Sequence, residues 1–298
     1  MPKRKVVVGI FIVGTIAAFI YGLRLESLGW HIWQFGSKEQ ASQFGLQKYR
    51  VEIEGLKIAD VGDDLSGLTY NEERNTLFTV SNRHPQLFEL SLDGKVLRKV
   101  DLQGAGDVEG ITHVKGNLYI VVNERQRKLM LIDLPDHVET IDVSRVPQMT
   151  LGIDPVGNKG FEGASWDGRN NRLLIVNERS PKRVLAIRGF IDATLNQDLQ
   201  LHVEDVKQAH AAFKKLRDFS SLTYHDATGH LFLLSDESRM IVEIDTEGKI
   251  AGSLALWKGF HGLKRNIPQA EGMTIGPDKR IYVVSEPNLF YVFKPNNI

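Results

Sequence analysis

The chain has 298 residues, no cysteine, and 37 basic side chains against 37 acidic ones. Without cysteine it can hold no disulfide, no thiolate metal site and no cysteine nucleophile, and a formal net charge of zero gives it no global basic surface for nucleic acid. Hydrophobic content of 42% and charged content of 25% are ordinary for a globular protein, so any electrostatic function must be local.

At the N-terminus Lys3, Arg4 and Lys5 precede an uncharged run of 18 residues, Val6 to Leu23. As a helix this run rises about 27 Å, nearly the hydrocarbon thickness of a bilayer, with Tyr21 and Trp30 placed for the far interface. The basic flank holds that end in the cytoplasm, so the remainder is exported. Ala17 and Ala18 are followed by bulky Phe19, Ile20 and Tyr21, a poor cleavage site. The expectation is therefore an uncleaved single-pass signal-anchor over residues 1–23, with a cleaved signal peptide as the alternative. Residues 24–48 mix Trp30, Trp33, Ser37, Lys38, Glu39 and Gln40 without a clear period, and read as a juxtamembrane linker with one short helix.

From Tyr49 the pattern turns to period two, the mark of strands. Two strings then recur five times. The first is DLSGLTY (Asp64 to Tyr70), DVEGITH (Asp107 to His113), GFEGASW (Gly160 to Trp166), DFSSLTY (Asp218 to Tyr224) and QAEGMTI (Gln269 to Ile275). The second is VSNR (Val80 to Arg83), VNER (Val122 to Arg125), VNER (Val176 to Arg179), LSDE (Leu234 to Glu237) and VSEP (Val284 to Pro287). The Gly or Ser of the first string lies 14 or 15 positions before the polar residue of the second, so one structural unit has been copied. Each unit offers a strand, a Gly/Asn turn, a second apolar strand such as Leu118 to Val122, and a third such as Gln86 to Leu90 or Met240 to Asp245. Asp93-Gly94 and Glu247-Gly248 are hairpin turns into a fourth strand. Four antiparallel strands in units of about 40 to 58 residues make the blade of a β-propeller.

The last unit ends after its third strand, while Tyr49 to Ile58 precedes the first unit without a blade of its own. That strand is expected to complete the last blade, giving an all-β, five-bladed propeller over 49–298 closed by pairing the chain's two ends. Three connections exceed a turn: Pro135 to Gly160, Arg188 to Arg217 and Trp257 to Gln269. In the second, Val206, Ala209, Phe213 and Leu216 fall at helical spacing and predict a surface helix over 205–217.

Both strings fall on one face of the disc, because the first strand of a blade begins where the second finishes. The innermost strands open with Ser66, Glu109, Glu162, Ser220 and Glu271, so three carboxylates converge at the mouth of the channel. Asn82, Glu124, Glu178, Asp236 and Glu286 end the second strands one shell out. Crowded carboxylates raise one another's pKa unless a cation compensates them. Three Glu with the Asn123 and Asn177 carbonyls make a hard oxygen set that suits Ca²⁺ over Zn²⁺. The alternative is neutralisation by Arg83, Arg125 and Arg179, more so for the Glu124 and Glu178 column than for the axial one. Asp64, Asp107 and Asp218 are read as caps on turn amides before the strand.

The D-x-E-G-[IL]-T string, the V-N-E-R strand ends and the N-terminal anchor together resemble the SdiA-regulated family of envelope proteins, over roughly Tyr49 to Lys294. The resemblance implies a five-bladed propeller distantly related to NHL-repeat propellers, residence in the periplasm on the inner membrane of a bacterium, a calcium site on the disc, and no established enzymatic activity. Carried over residue by residue, the calcium site falls on Glu109, Glu162 and Glu271, with Asn123 and Asn177 as further candidates. Ser66 and Ser220 depart from Glu in their blades, so the site is asymmetric. Two functions follow as expectations. One is a membrane-anchored binding module, whose acidic face takes a protein or a small-molecule or carbohydrate ligand. The other is a calcium-dependent hydrolase of lactones or phosphate esters, with Lys207, Lys214, Lys215, Lys258, Lys264 and Arg265 available to hold an anion. No G-x-S-x-G elbow or phosphate loop is present.

Overall fold

The computed structural model describes residues 11, 12, 14–16, 18–36, 44–153, 160–178, 181–192 and 200–296. Five antiparallel sheets follow one another around a ring. Blade 1 is β2 (Leu65–Asn71), β3 (Thr76–Ser81), β4 (Gln86–Leu90) and β5 (Val96–Gln103). Blade 2 is β6 (Val108–Lys115), β7 (Leu118–Asn123) and β8 (Lys128–Asp133), with β10 (Gln148–Thr150) outermost. Blade 3 is β11 (Phe161–Asp167), β12 (Arg172–Asn177), β13 (Arg183–Arg188) and β14 (His202–Asp205). Blade 4 is β15 (Ser221–His225), β16 (His230–Ser235), β17 (Met240–Ile244) and β18 (Ile250–Ala255). Blade 5 is β19 (Ala270–Ile275), β20 (Ile281–Ser285) and β21 (Leu289–Pro295), completed by β1 (Tyr49–Lys57). The β1 strand pairs antiparallel with β21 from Tyr49↔Pro295 to Lys57↔Leu289, so the two ends of the propeller close the ring as the sequence predicts.

Period two explains why the middle strands read as continuous apolar runs. On β7, Tyr119 and Val121 pack with Phe78, Val80 and Val100 of blade 1. The intervening Ile120 and Val122 pack with Ile175 and Leu185 of blade 3. Both faces of each blade are thus covered by a neighbour, and alternate side chains feed alternate cores. The innermost strands are joined by hydroxyls of the repeated Thr or Ser. The N–H groups of His113, Trp166 and Tyr224 donate to Thr69 (3.0 Å), Thr112 (2.9 Å) and Ser165 (2.9 Å) of the preceding blade. Thr223 donates to the Met273 carbonyl (2.9 Å), and the Tyr70 N–H donates to Thr274 (3.1 Å). Every seam of the ring therefore carries at least one such hydroxyl bond.

Two connections depart from expectation. The stretch after Pro135 supplies the fourth strand of blade 2, β10, and also β9 (Thr140–Asp142), which adds parallel to β5 as a fifth strand of blade 1. The segment 205–217 is one 3₁₀ turn, Lys207–Ala209, and one short helix, His210–Phe213, in place of a longer helix. Its ends are held: Asp205 still pairs with Leu185 in β14, and the Arg217 N–H donates to Ser238 Oγ at 2.9 Å. Val206, Ala209 and Leu216 are buried as their spacing suggests.

At the N-terminus the described residues between 11 and 22 are helical, and α1 (Leu25–Gly36) follows directly. Among the described residues no helix is long and apolar enough to cross a membrane; residues 6–10 of the expected span, with 13 and 17, lie outside the described set. The segment read as a linker is not detached from the disc, because α1 packs against β18 of blade 4.

Candidate functional site

The inner strands approach the axis so closely that only glycine fits beside the carboxylates. A Cβ at Gly110 would lie 2.6 Å from the Glu162 carbonyl oxygen, and one at Gly272 would lie 2.6 Å from the Gly67 carbonyl carbon. That approach brings Glu109, Glu162 and Glu271 to one cavity of about 280 Å³, lined also by Glu178, Asp218, Asp236 and Glu286. Carboxylate oxygens of Asp107, Glu109 and Glu124 lie within 4.8 Å of one another, and so do those of Glu124, Glu162 and Glu178. Glu124 is common to both groups. Glu271 lines the cavity without belonging to either.

Burial dominates the electrostatics. The Glu109 carboxyl is pushed up to about 8, first by desolvation and then by the charges of Glu124, Asp107 and Glu286. Glu162 and Glu271 are raised well above the usual carboxylate range, each by burial and then by neighbouring acids. Desolvation raises Glu124, Asp236 and Glu286 as well. Glu109 accepts from the Asn82 amide, and Glu124 accepts from the Gly160 N–H at 3.0 Å.

Two of the three arginines that the sequence alternative set against the Glu column pair with aspartates instead. Arg125 pairs with Asp107 at 3.0 Å and Arg83 with Asp63 at 2.9 Å; Arg179 lies outside the described residues. The first-string aspartates do cap turn amides, but those of the turn that follows the second strand. Asp64 accepts from the Arg83 N–H, Asp107 from that of Arg125 (3.1 Å), and Asp218 from that of Glu237 (3.2 Å).

Asn123 and Asn177 are buried at the ends of β7 and β12. Asn123 donates its amide to the Gly106 carbonyl and accepts from the Gln126 N–H at 2.8 Å; Asn177 donates to the Pro181 carbonyl at 2.7 Å. Their amides brace turns, a task Ser81 performs in blade 1 by donating to the His84 carbonyl. Sequence reasoning did not group Asp107, Glu124 and Glu178 with the axial carboxylates, although their fixed spacing from Glu109 and Glu162 was the available signal. It also missed Arg24, which lines the cavity and lies 3.8 Å from Asp236; its aperiodic segment carried no such signal.

The model of the SdiA-regulated family matches residues 41–294, a span that covers all five blades and the closing strand but for the last residue of β21. The chain belongs to the SdiA-regulated family. Among solved structures, this SdiA-regulated chain is similar to a luciferin-regenerating enzyme at 14% identity, with a TM-score of 0.47 and coverage of 80% of this chain and 93% of that one. It is similar to a chain of a nidogen/laminin complex at 12% identity, with a TM-score of 0.46 and coverage of 74% and 72%. A third likeness is to the Cps50 (Swd1) β-propeller domain of Myceliophteria thermophila, at 12% identity, a TM-score of 0.42, and coverage of 80% and 65%.

Proposed function

We propose that this SdiA-regulated protein is a membrane-anchored propeller whose acidic mouth holds a calcium ion and binds a protein or a small-molecule or carbohydrate ligand. The observation that carries this reading is the crowding of Glu109, Glu124 and Glu162, with Asp107 and Glu178 beside them, while of the nearby arginines Arg125 compensates Asp107 and Arg83 pairs with Asp63. Buried carboxylates at such separations stay ionised only with a cation among them. The donor set is all oxygen, which fits Ca²⁺. Glu109, Glu124 and Glu162 would hold it, with Glu271 lining the same cavity. Bound there, the ion supplies charge neutralisation and a bridge to an anionic ligand group. The uncharged run ending at Leu23 and the preceding Lys3, Arg4 and Lys5 support an inner-membrane anchor with the N-terminus cytoplasmic and the propeller periplasmic.

Calorimetry on the metal-stripped full chain in detergent tests the metal. Heat from Ca²⁺, reduced at least about tenfold in affinity by Glu162→Gln, is expected, because a ligating charge is lost. Absence of both heat and thermal stabilisation by Ca²⁺ would sink the calcium reading. A second reading, hydrolysis of lactones or phosphate esters, is favoured by the room beside the carboxylates. Turnover of such substrates that disappears in Glu109→Gln and Glu271→Gln would establish it over pure binding.

A further inference from the structure

Nine of the twelve exposed large apolar side chains among the described residues lie between Phe11 and Trp33; the other three are Leu56, Leu97 and Leu201. Eight of the nine fall on two consecutive helices, and Leu23 lies in the turn between them. Phe11, Phe19 and Tyr21 are 76%, 65% and 66% exposed on the first, and Ile32 and Trp33 are 53% and 75% exposed on α1. The opposite face of α1 belongs to the propeller. Ser27 donates to the Lys215 carbonyl (3.4 Å), the His31 ring bonds to Ser253 Oγ (2.9 Å), and His31 packs edge-on to Phe260 with centroids 5.4 Å apart. Ser27 and His31 are buried, while Gly29, Ile32 and Trp33 point outward, as i, i+3 and i+4 positions of one helix face do.

The junction of the two helices is clamped at the acidic mouth. Arg217 donates to Glu26 and to the Tyr21 carbonyl, and its guanidinium lies 4.1 Å from the Tyr21 ring centroid. Arg217 immediately precedes Asp218, which lines the cavity, and Arg24 between the helices lines it too, with a left-handed φ of 60°. The apolar helix therefore leaves the disc at its acidic face. Beside α1, exposed Lys214 and Lys215 add positive charge, and the Lys215 ammonium sits 5.6 Å from the Trp30 ring centroid.

We infer that α1 is an interfacial helix that lies on an anionic bilayer through Ile32 and Trp33, and that with the Arg217 clamp it turns the acidic face of the propeller toward the headgroup layer. The occupant of this apolar face is the bilayer because the face continues the exposed apolar helix directly, because Trp and Ile seat at the acyl boundary, and because the adjoining lysines complement anionic headgroups. The inference rests on the membrane-anchored reading and deepens it: a ligand of the mouth reaches it from the membrane side.

The cysteine-free chain allows a single label at any chosen site. Gly29→Cys has open space at its Cβ and leaves Trp33 in place. Glu247→Cys lies at the Asp245–Lys249 hairpin of blade 4, at the end away from the mouth. The full chain, nitroxide-labelled at one of these and reconstituted in phosphatidylethanolamine–phosphatidylglycerol vesicles, is read by collision with oxygen and with a water-soluble nickel chelate. The label at 29 is expected to lose nickel access and gain oxygen access relative to the label at 247. Equal nickel access at the two sites in a chain that resists alkaline carbonate would overturn the orientation alone. Extraction by carbonate would overturn the anchor and the orientation together. Shielding at 29 accompanied by label–label broadening that depends on protein density would assign the face to a second copy and overturn the inference.

Discussion

At Glu109 the sign of a pH effect can be worked out. An unfolded glutamate titrates near 4.5 and this one near 8 in the folded metal-free chain. Between those values the folded state holds a proton that the unfolded state has released, so the contribution of this group to stability falls as pH rises through the window. Calcium bound at the proposed site would select the ionised form and so oppose the trend. We predict that the melting temperature of the metal-free protein declines from about pH 5 to about pH 8, and that saturating Ca²⁺ abolishes the decline. Calcium affinity should rise up to about tenfold per pH unit for each proton displaced; affinity flat across that window would refute the assignment of the raised carboxyls to the metal. Glu162→Gln should raise the metal-free melting temperature at the alkaline end, since it removes a buried like charge, while weakening Ca²⁺. Glu109, Glu162 and Glu271 were legible in the sequence because repetition fixes one slot per blade. The place of Glu124 in both carboxylate groups was not, since it depends on the distance between blades, which no single repeat encodes.

At the scale of strands, the repeated string divides into residues that admit a neighbour and residues that bond to it. Gly110 admits the backbone of Glu162, so Gly110→Ala is expected to cost about 1–3 kcal/mol by overpacking, measured as a shifted urea midpoint. Thr112 accepts from the Trp166 N–H across the seam between blades 2 and 3. Thr112→Val keeps shape and leaves that N–H without its acceptor, at a cost of about 1–3 kcal/mol; Thr112→Ser should recover most of it. A Val variant as stable as the parent would remove the hydroxyl bond from the account of how blades adhere. Glycine and threonine read from sequence as blade-building residues, and the structure makes the hydroxyl a link between blades. The outer strands β10 and β14 escaped the sequence because they span three and four residues inside long connections, too few for alternation to show. The helix expected over 205–217 was foreseen in its buried side chains and overextended in its length, because spacing records which residues face inward and not where blades fasten the ends.

For the molecule as a whole, blade number and ring closure were legible. Five copies of one string count the blades, and an unpartnered strand at one end matches a missing strand at the other. Deleting Tyr49–Lys57 would leave the edge of β21 unpaired. The expected result is loss of a single cooperative unfolding transition and concentration-dependent aggregation through the open edge; a sharp, reversible transition in the truncated chain would show that closure is dispensable. The same pairing governs how the protein is made. Synthesis proceeds from the N-terminus, so β1 is complete first and remains an orphan strand until β21, its partner, has been translated. Four blades can assemble while the ring stays open. The final seven-residue strand acts as a latch, and a chain halted before it leaves an open propeller for quality-control proteases to find.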